Sequence, residues 1–173
     1  ASLINFLIFK KIIKIKKNEL IKLTKIIGSD VILGIDPKNT ILSFNGIIKR
    51  YKKKIKFYTL VVKPNFGCST KFIFSKVKYF SRAKFNLPSQ SMFNKDYLKD
   101  LNNDLEIVAF RKYSKLKNIK FFLSSLPNVI FTRMSGSGSS IVAYFLSKNA
   151  CRVALKLFKQ KFNSYWCITS KTI

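Results

Sequence analysis

Arg133-Met134-Ser135-Gly136-Ser137-Gly138-Ser139-Ser140 is the stretch that decides the fold, since it joins the apolar runs Val129-Ile130-Phe131 and Ile141-Val142-Ala143-Tyr144-Phe145. We refer to residues 135–140 as the Ser-Gly loop. Small residues let the backbone adopt positive φ and let several N–H groups converge on an anion. The pattern therefore predicts a phosphate-facing turn between two strands. The alternative is a purely structural turn, because glycine/serine turns between strands are common.

Three further segments give the loop a context. Along the chain they are Gly28-Ser29-Asp30-Val31, the run 61–75 with Lys63-Pro64 and Ser69-Thr70, and Asn103-Asp104-Leu105-Glu106. In this order, and together with the loop, they resemble the 4-diphosphocytidyl-2-C-methyl-D-erythritol kinases. These are GHMP-superfamily enzymes that use ATP to phosphorylate a hydroxyl in non-mevalonate isoprenoid synthesis. The resemblance covers the C-terminal two thirds of the family pattern.

The resemblance implies an α+β, GHMP-kinase-like fold. Residues 1–55 would be a remnant of the N-terminal kinase domain, and residues 56–173 would form the C-terminal domain, a ferredoxin-like α/β sandwich. The family's glycine-rich ATP loop and its N-terminal catalytic lysine would lie upstream of Ala1. We therefore expect this chain to lack the ATP loop.

Hydrophobic periodicity and capping residues predict the individual elements. A strand at 56–63 is followed by a helix through Phe74 that Ser69 or Thr70 can cap. Residues 77–98 lack a period and are expected to form a variable loop. The remaining expectations are a buried helix at 2–15, a helix at 18–27, strands at 31–33 and 40–44, a basic connection at 50–56, a helix from Asn103-Asp104, a second one toward Leu126, a strand on each side of the Ser-Gly loop, a helix at about 148–162 and a strand at 165–169.

Phosphoryl transfer to an alcohol needs a group that accepts the hydroxyl proton. The chain has no histidine and only seven carboxylates, which leaves a carboxylate, lysine, tyrosine or water for this task. Asp30 follows a Gly-Ser turn and matches the family's catalytic aspartate, so the resemblance implies that it is the base. The alternative is an aspartate that caps a turn. Ile32 and Leu33 depart from the proline and aromatic residue that are usual in the family.

The resemblance also implies substrate contacts. Phe74 matches an aromatic residue that stacks on cytosine, with core packing as the alternative, and Ser69 and Thr70 either contact substrate or cap a helix. We expect Arg133 to pair with a carboxylate, Asp104 or Glu106, rather than with a ligand. The residues expected to shape the cleft near the phosphates are Ser135, Gly136, Ser137 and Gly138.

Composition limits the alternatives. The net charge of +27 favours nucleic-acid binding in principle, but the lysines are spread along the chain and arginines are few, which favours a solvated surface. Three scattered cysteines without histidine predict neither a disulfide nor a zinc site. The apolar stretch from Leu3 to Phe9 is too short to span a bilayer, and the expected location is the cytoplasm.

We therefore expect a kinase that uses ATP and Mg²⁺ on a small-molecule substrate, without a metal held by the protein, a membrane partner or a specific nucleic acid. One alternative is a catalytically inactive truncated homologue that acts as an interaction module or results from gene decay. Apolar side chains at Leu3, Phe6 and Leu7 would then associate with a separate N-terminal fragment. The other alternative is a nonspecific basic nucleic-acid binder.

Overall fold

A computed structural model describes residues 1–28, 31–36, 38–43, 46–52, 55–82, 84–85 and 87–172. The chain divides into two compact units. The first comprises Ala1–Lys54, Lys84–Gln90 and Ile173, and the second comprises Ile55–Ala83 and Ser91–Thr172. The assignment of residues 1–55 and 56–173 to two kinase domains stays a prediction.

The first unit contains two helices, a short 3-10 helix and a hairpin. They are α1 (Ser2–Phe9), α2 (Lys17–Ile27), the 3-10 helix Val31–Gly34, β1 (Asn39–Leu42) and β2 (Ile48–Tyr51). The two strands are antiparallel and pair Asn39 with Tyr51 and Leu42 with Ile48.

Three expectations for this unit are wrong. The first helix stops at Phe9 rather than residue 15, because Lys11 has a φ of 56° and the left-handed conformation cannot continue the helix. It is also not a buried helix, since Ile4 is its one buried residue. Residues 31–33 form a 3-10 helix instead of a strand, since short apolar runs do not distinguish the two. The expected basic connection begins inside β2, where Arg50 pairs with Thr40.

The second unit carries a four-stranded antiparallel sheet with the order β4-β5-β3-β6. Its elements are β3 (Tyr58–Lys63), α3 (Thr70–Lys76), α4 (Lys95–Lys99), α5 (Leu105–Lys112), α6 (Ser114–Ser124), β4 (Phe131–Met134), β5 (Ile141–Phe145), α7 (Lys148–Lys161) and β6 (Trp166–Lys171), with a 3-10 helix at Gln90–Met92. Helices follow β3 and β5, and the first and third strands of the unit lie at the centre. This is the ferredoxin-like arrangement, so the α+β prediction is confirmed.

The core of the second unit lies between the sheet and its helices. Alternate residues of the central strands are fully buried, as a period of two requires. The helices contribute residues three and four positions apart, which share one helix face. The buried set includes Leu60, Val62, Ile141, Ala143 and Phe145 from the strands and Leu116, Ile119, Leu123, Ala154 and Phe158 from the helices.

The expected loop at 77–98 is only partly correct. It contains the five-residue helix α4, which Asn94 caps by accepting a hydrogen bond from the Tyr97 N–H at 2.8 Å. Such a short helix has no hydrophobic period to detect. None of the helices in the described residues has the length and apolar character needed to cross a membrane.

Candidate functional site

The Ser-Gly loop is a tight turn between β4 and β5, as predicted. The Ser135 N–H donates to the Ser140 carbonyl at 2.9 Å, and the Gly138 N–H donates to the Ser135 carbonyl at 2.9 Å. Gly136 and Gly138 have φ values of 52° and 89°. Both values lie in the region that L side chains rarely adopt, which explains why glycine alternates with serine here.

Gly138 is also constrained by space. A Cβ atom at this position would lie 3.0 Å from the Cys68 Sγ and 3.0 Å from the Met134 Sδ. The backbone of the loop therefore packs directly on the segment that leads into α3. At Gly136, by contrast, a Cβ atom would meet nothing within 4 Å.

Two hydroxyl groups fasten the loop to that same segment. The hydroxyls of Thr70 and Ser137 lie 2.8 Å apart within hydrogen-bonding distance, and the Ser139 hydroxyl donates to the Phe66 carbonyl at 2.7 Å. The structure thus brings together Thr70 and Ser137, which come from separate predicted parts of the site. The sequence does not single out Phe66 and Cys68, because nothing in their spacing indicates a contact with residues 138 and 139.

The start of α3 places the other predicted substrate residues. Ser69 caps the helix by accepting a hydrogen bond from the Phe72 N–H at 3.2 Å. Ile73 is fully buried, whereas Phe74 is 52% exposed. The Phe74 ring is therefore not part of the core and has a face accessible to a ligand, while its role in stacking stays a prediction.

Side chains at the start of α5 form hydrogen bonds with the other side of the loop. The Asn103 side-chain amide donates to the carbonyls of Met134 at 3.0 Å and Gly136 at 2.8 Å. The Glu106 carboxylate accepts a hydrogen bond from the Met134 N–H at 2.7 Å and forms an ion pair with Lys120. The sequence offers Glu106 only as a partner for Arg133 and Asn103 only as part of a helix start, so it predicts neither contact with Met134.

Arg133 differs from its prediction. Its guanidinium donates to the carbonyls of Leu98 at 3.2 Å and Lys99 at 3.3 Å, not to Asp104 or Glu106. Burial lowers the pKa of Arg133, and the nearby charge of Glu106 opposes that change. The expectation of a structural arginine is correct, but the expected carboxylate partner is wrong because Glu106 is engaged by Lys120.

Asp104 is engaged elsewhere. Its carboxylate accepts hydrogen bonds from the Ser81 N–H at 2.8 Å and from the Ser81 hydroxyl at 2.9 Å. Asp104 therefore binds Ser81 and Glu106 binds Lys120, so neither carboxylate pairs with Arg133 as expected.

The loop also has main-chain N–H groups outside these hydrogen bonds. Among the hydrogen bonds of the described residues, none uses the N–H groups of Gly136, Ser137 and Ser139. Burial raises the pKa of the Cys68 thiol, which therefore stays neutral and adds no negative charge beside the loop. Unpaired N–H groups around a turn can bind an anion.

The predicted base lies outside the described residues, as do Ser29 and Pro37. The structure thus gives no position for the Asp30 carboxylate. Within the described ranges, no group of three or more His, Cys, Asp or Glu side chains is placed to hold a metal ion.

Comparisons with known proteins give the site a family context. No family model matches the chain. A 4-diphosphocytidyl-2-C-methyl-D-erythritol kinase of Pelagibacter ubique is 62% identical over 173 residues, which are 100% of this chain and 62% of that relative. A kinase of the same name from Anaplasma phagocytophilum is 27% identical over 177 residues, covering 100% of this chain and 59% of the relative.

A solved structure supports the fold. The crystal structure of a 4-(cytidine 5'-diphospho)-2C-methyl-D-erythritol kinase matches with a TM-score of 0.68 at 21% identity, over 87% of this chain and 56% of that one. The chain thus spans less than two thirds of the relatives it matches. The predicted resemblance is confirmed, and the comparisons favour neither the inactive homologue nor the nucleic-acid binder.

Proposed function

Because the chain is a relative of the 4-diphosphocytidyl-2-C-methyl-D-erythritol kinases, we propose that it takes part in the ATP-dependent phosphorylation of a hydroxyl of 4-diphosphocytidyl-2-C-methyl-D-erythritol. The proposal rests on the Ser-Gly loop, where the N–H groups of Gly136 and Ser137 have no acceptor among the described residues. Relatives of 62% and 27% identity carry the name of this kinase.

The geometry of the loop suits a phosphate-bearing ligand. Phosphoryl transfer depends mainly on positioning and on stabilising the charge of the migrating group. The N–H groups of Gly136 and Ser137 can donate hydrogen bonds to phosphate oxygens, and the hydroxyls of Thr70 and Ser137 add two further polar groups at the same loop. In this proposal the loop binds and orients the phosphate groups, and it transfers no proton.

Proton transfer belongs to another residue. We assign Asp30 as the base that accepts the proton of the substrate hydroxyl. Mg²⁺ would enter with ATP and neutralise phosphate charge. ATP, Mg²⁺ and a location in the cytoplasm stay predictions for this chain.

The substrate contacts follow from the start of α3. Phe74 offers a ring face that is 52% exposed, and stacking on an aromatic ring is worth about 1–3 kcal/mol per base. Ser69 is occupied as the cap of the helix, but Thr70 stands beside Ser137 and can reach a ligand at the loop. We therefore place the cytidine end of the substrate near Phe74 and its phosphates near the loop.

The test is ADP formation by a chimera in which the remaining part of the Pelagibacter ubique relative precedes residues 1–173. ADP should form only when ATP and 4-diphosphocytidyl-2-C-methyl-D-erythritol are both present. Phe74→Ala should raise KM for this substrate about fivefold or more, whereas Phe121→Ala, a similarly exposed residue of α6, should leave KM unchanged. A folded chimera that forms no substrate-dependent ADP would refute the proposal.

A further inference from the structure

The segment Asn103-Asp104-Leu105-Glu106 has no task in the proposed reaction, yet it touches the end of β4 at several points. Met134 is the last residue of β4, an edge strand of the sheet. Its N–H donates to Glu106 and its carbonyl accepts from Asn103. Both main-chain polar groups of Met134 are thus satisfied from the start of α5.

From these contacts we propose that Asn103 and Glu106 are positioning residues that fix the conformation of the Ser-Gly loop. The Asn103 amide bridges Met134 and Gly136, which are the strand end and the first glycine of the turn. One side chain thereby sets the distance between these two carbonyls. The direction of the neighbouring Ser137 N–H is set with them.

The two side chains are themselves held firmly. The Oδ1 of Asn103 accepts a hydrogen bond from the Leu105 N–H at 3.1 Å, which fixes the amide at the start of α5. The Glu106 side chain is only 12% exposed and pairs with Lys120 on α6. Glu106 thus lies on one packed helix and pairs with another, and Asn103 is held at the start of the first, so rigid elements support this side of the loop.

The purpose of this arrangement rests on the proposed function, in which the loop binds phosphate. A turn with two glycines in positive φ has little stiffness of its own, so external hydrogen bonds must select one conformation. Holding the loop before a ligand arrives reduces the ordering cost of binding. Removing the hydrogen bonds of either Asn103 or Glu106 to the loop should then weaken anion binding without unfolding the protein.

Amide hydrogen exchange of the ¹⁵N-labelled chain tests the positioning without any ligand. Asn103→Asp keeps the oxygen that accepts from the Leu105 N–H but removes the donor to Met134 and Gly136. The Gly138 N–H should then exchange roughly tenfold faster because two hydrogen bonds are lost. The control Asn118→Asp makes the same charge change on an exposed part of α6 and should leave the loop unaltered. Exchange within twofold of this control would overturn the inference.

A pair of Glu106 variants tests the consequence for binding. Glu106→Gln and Glu106→Leu remove the same charge, but only glutamine keeps an acceptor for the Met134 N–H. Titration with inorganic pyrophosphate should show roughly fivefold weaker binding for Glu106→Leu than for Glu106→Gln. Equal affinities would contradict the inference. If unaltered protein shows no amide shift at Gly136 or Ser137 with pyrophosphate, the proposed function fails, while the exchange experiment still decides the positioning role.

Discussion

At the scale of single residues, Gly138, Gly136 and Gly67 differ in how strictly their positions require glycine. Gly138 combines a φ of 89° with two sulfur atoms 3.0 Å from the place of a Cβ, Gly136 has a φ of 52° with open space, and Gly67 has open space without a positive φ. Alanine should therefore cost roughly 2 kcal/mol or more at position 138 and about 1 kcal/mol at position 136.

Gly67→Ala is the matched control and should change stability by less than about 1 kcal/mol, since it only restricts the unfolded chain. Urea unfolding of the three variants measures their free energies of unfolding and so ranks the three losses of stability. Equal losses at positions 138 and 67 would show that the loop does not pack on Cys68 as described.

Cys151 leads to a prediction about pH. Burial raises the pKa of its thiol above the ordinary value of 9.0. As pH rises past this value, the unfolded chain loses the thiol proton while the folded chain retains it, so this contribution to stability falls. The free energy of unfolding of the unaltered chain, minus that of Cys151→Ala, should decrease between about pH 8 and pH 10.

The comparison with Cys151→Ala cancels the titration of lysines, which both proteins share. Urea unfolding at several pH values provides the two free energies. A difference that stays constant across this range would mean that the thiol is not desolvated.

At the scale of elements, α6 provides the clearest packing prediction. Ile119 is fully buried, whereas Phe121 is 76% exposed on the same helix. Ile119→Ala should lower stability by about 2–5 kcal/mol, because it leaves a cavity between helix and sheet. Phe121→Ala should change stability by about 0.5 kcal/mol or less. If thermal unfolding shows similar losses of stability for the two variants, α6 does not have this orientation.

The elements also show what sequence can and cannot predict. Ser147 caps α7, whose apolar side chains recur with a helical period, so this helix was predictable. The Ser-Gly loop was predictable because glycine has a specific conformational use there. In contrast, α4 is too short for a period, and residues 31–34 carry an apolar run that suits a strand or a helix equally.

Contacts of the candidate site were less predictable than its elements. The loop residues and Thr70 were singled out, but their hydrogen bond joins positions 67 residues apart. Asn103 reaches Gly136 across 33 residues, and no spacing rule gives that pairing. Local chemistry therefore indicated which residues matter, while the packing of α5 and α3 decides what each of them touches.

At the scale of the whole molecule, α1 presents an apolar face. Leu3, Phe6 and Phe9 are 68%, 51% and 79% exposed and recur every three residues, which places them along one side of the helix. Leu7, expected to be exposed as well, is instead partly buried. An apolar surface of this kind favours association, so the isolated chain should form oligomers at micromolar concentration.

Sedimentation velocity measures this association. The combined variant L3Q/F6Q/F9Q should shift the chain toward monomer, and F121Q, at an exposed position of α6, should not. A monomeric unaltered chain at all concentrations would count against an association role for this face.

In the proposed phosphoryl transfer Asp30 is the base, and kcat of the chimera shows whether the reaction depends on its carboxylate. Asp30→Asn should lower kcat about 10²-fold or more with ATP and 4-diphosphocytidyl-2-C-methyl-D-erythritol, because the amide cannot accept the hydroxyl proton. Asp96→Asn, at a side chain that is 83% exposed on α4, should retain full turnover. Undiminished turnover in Asp30→Asn would contradict the account.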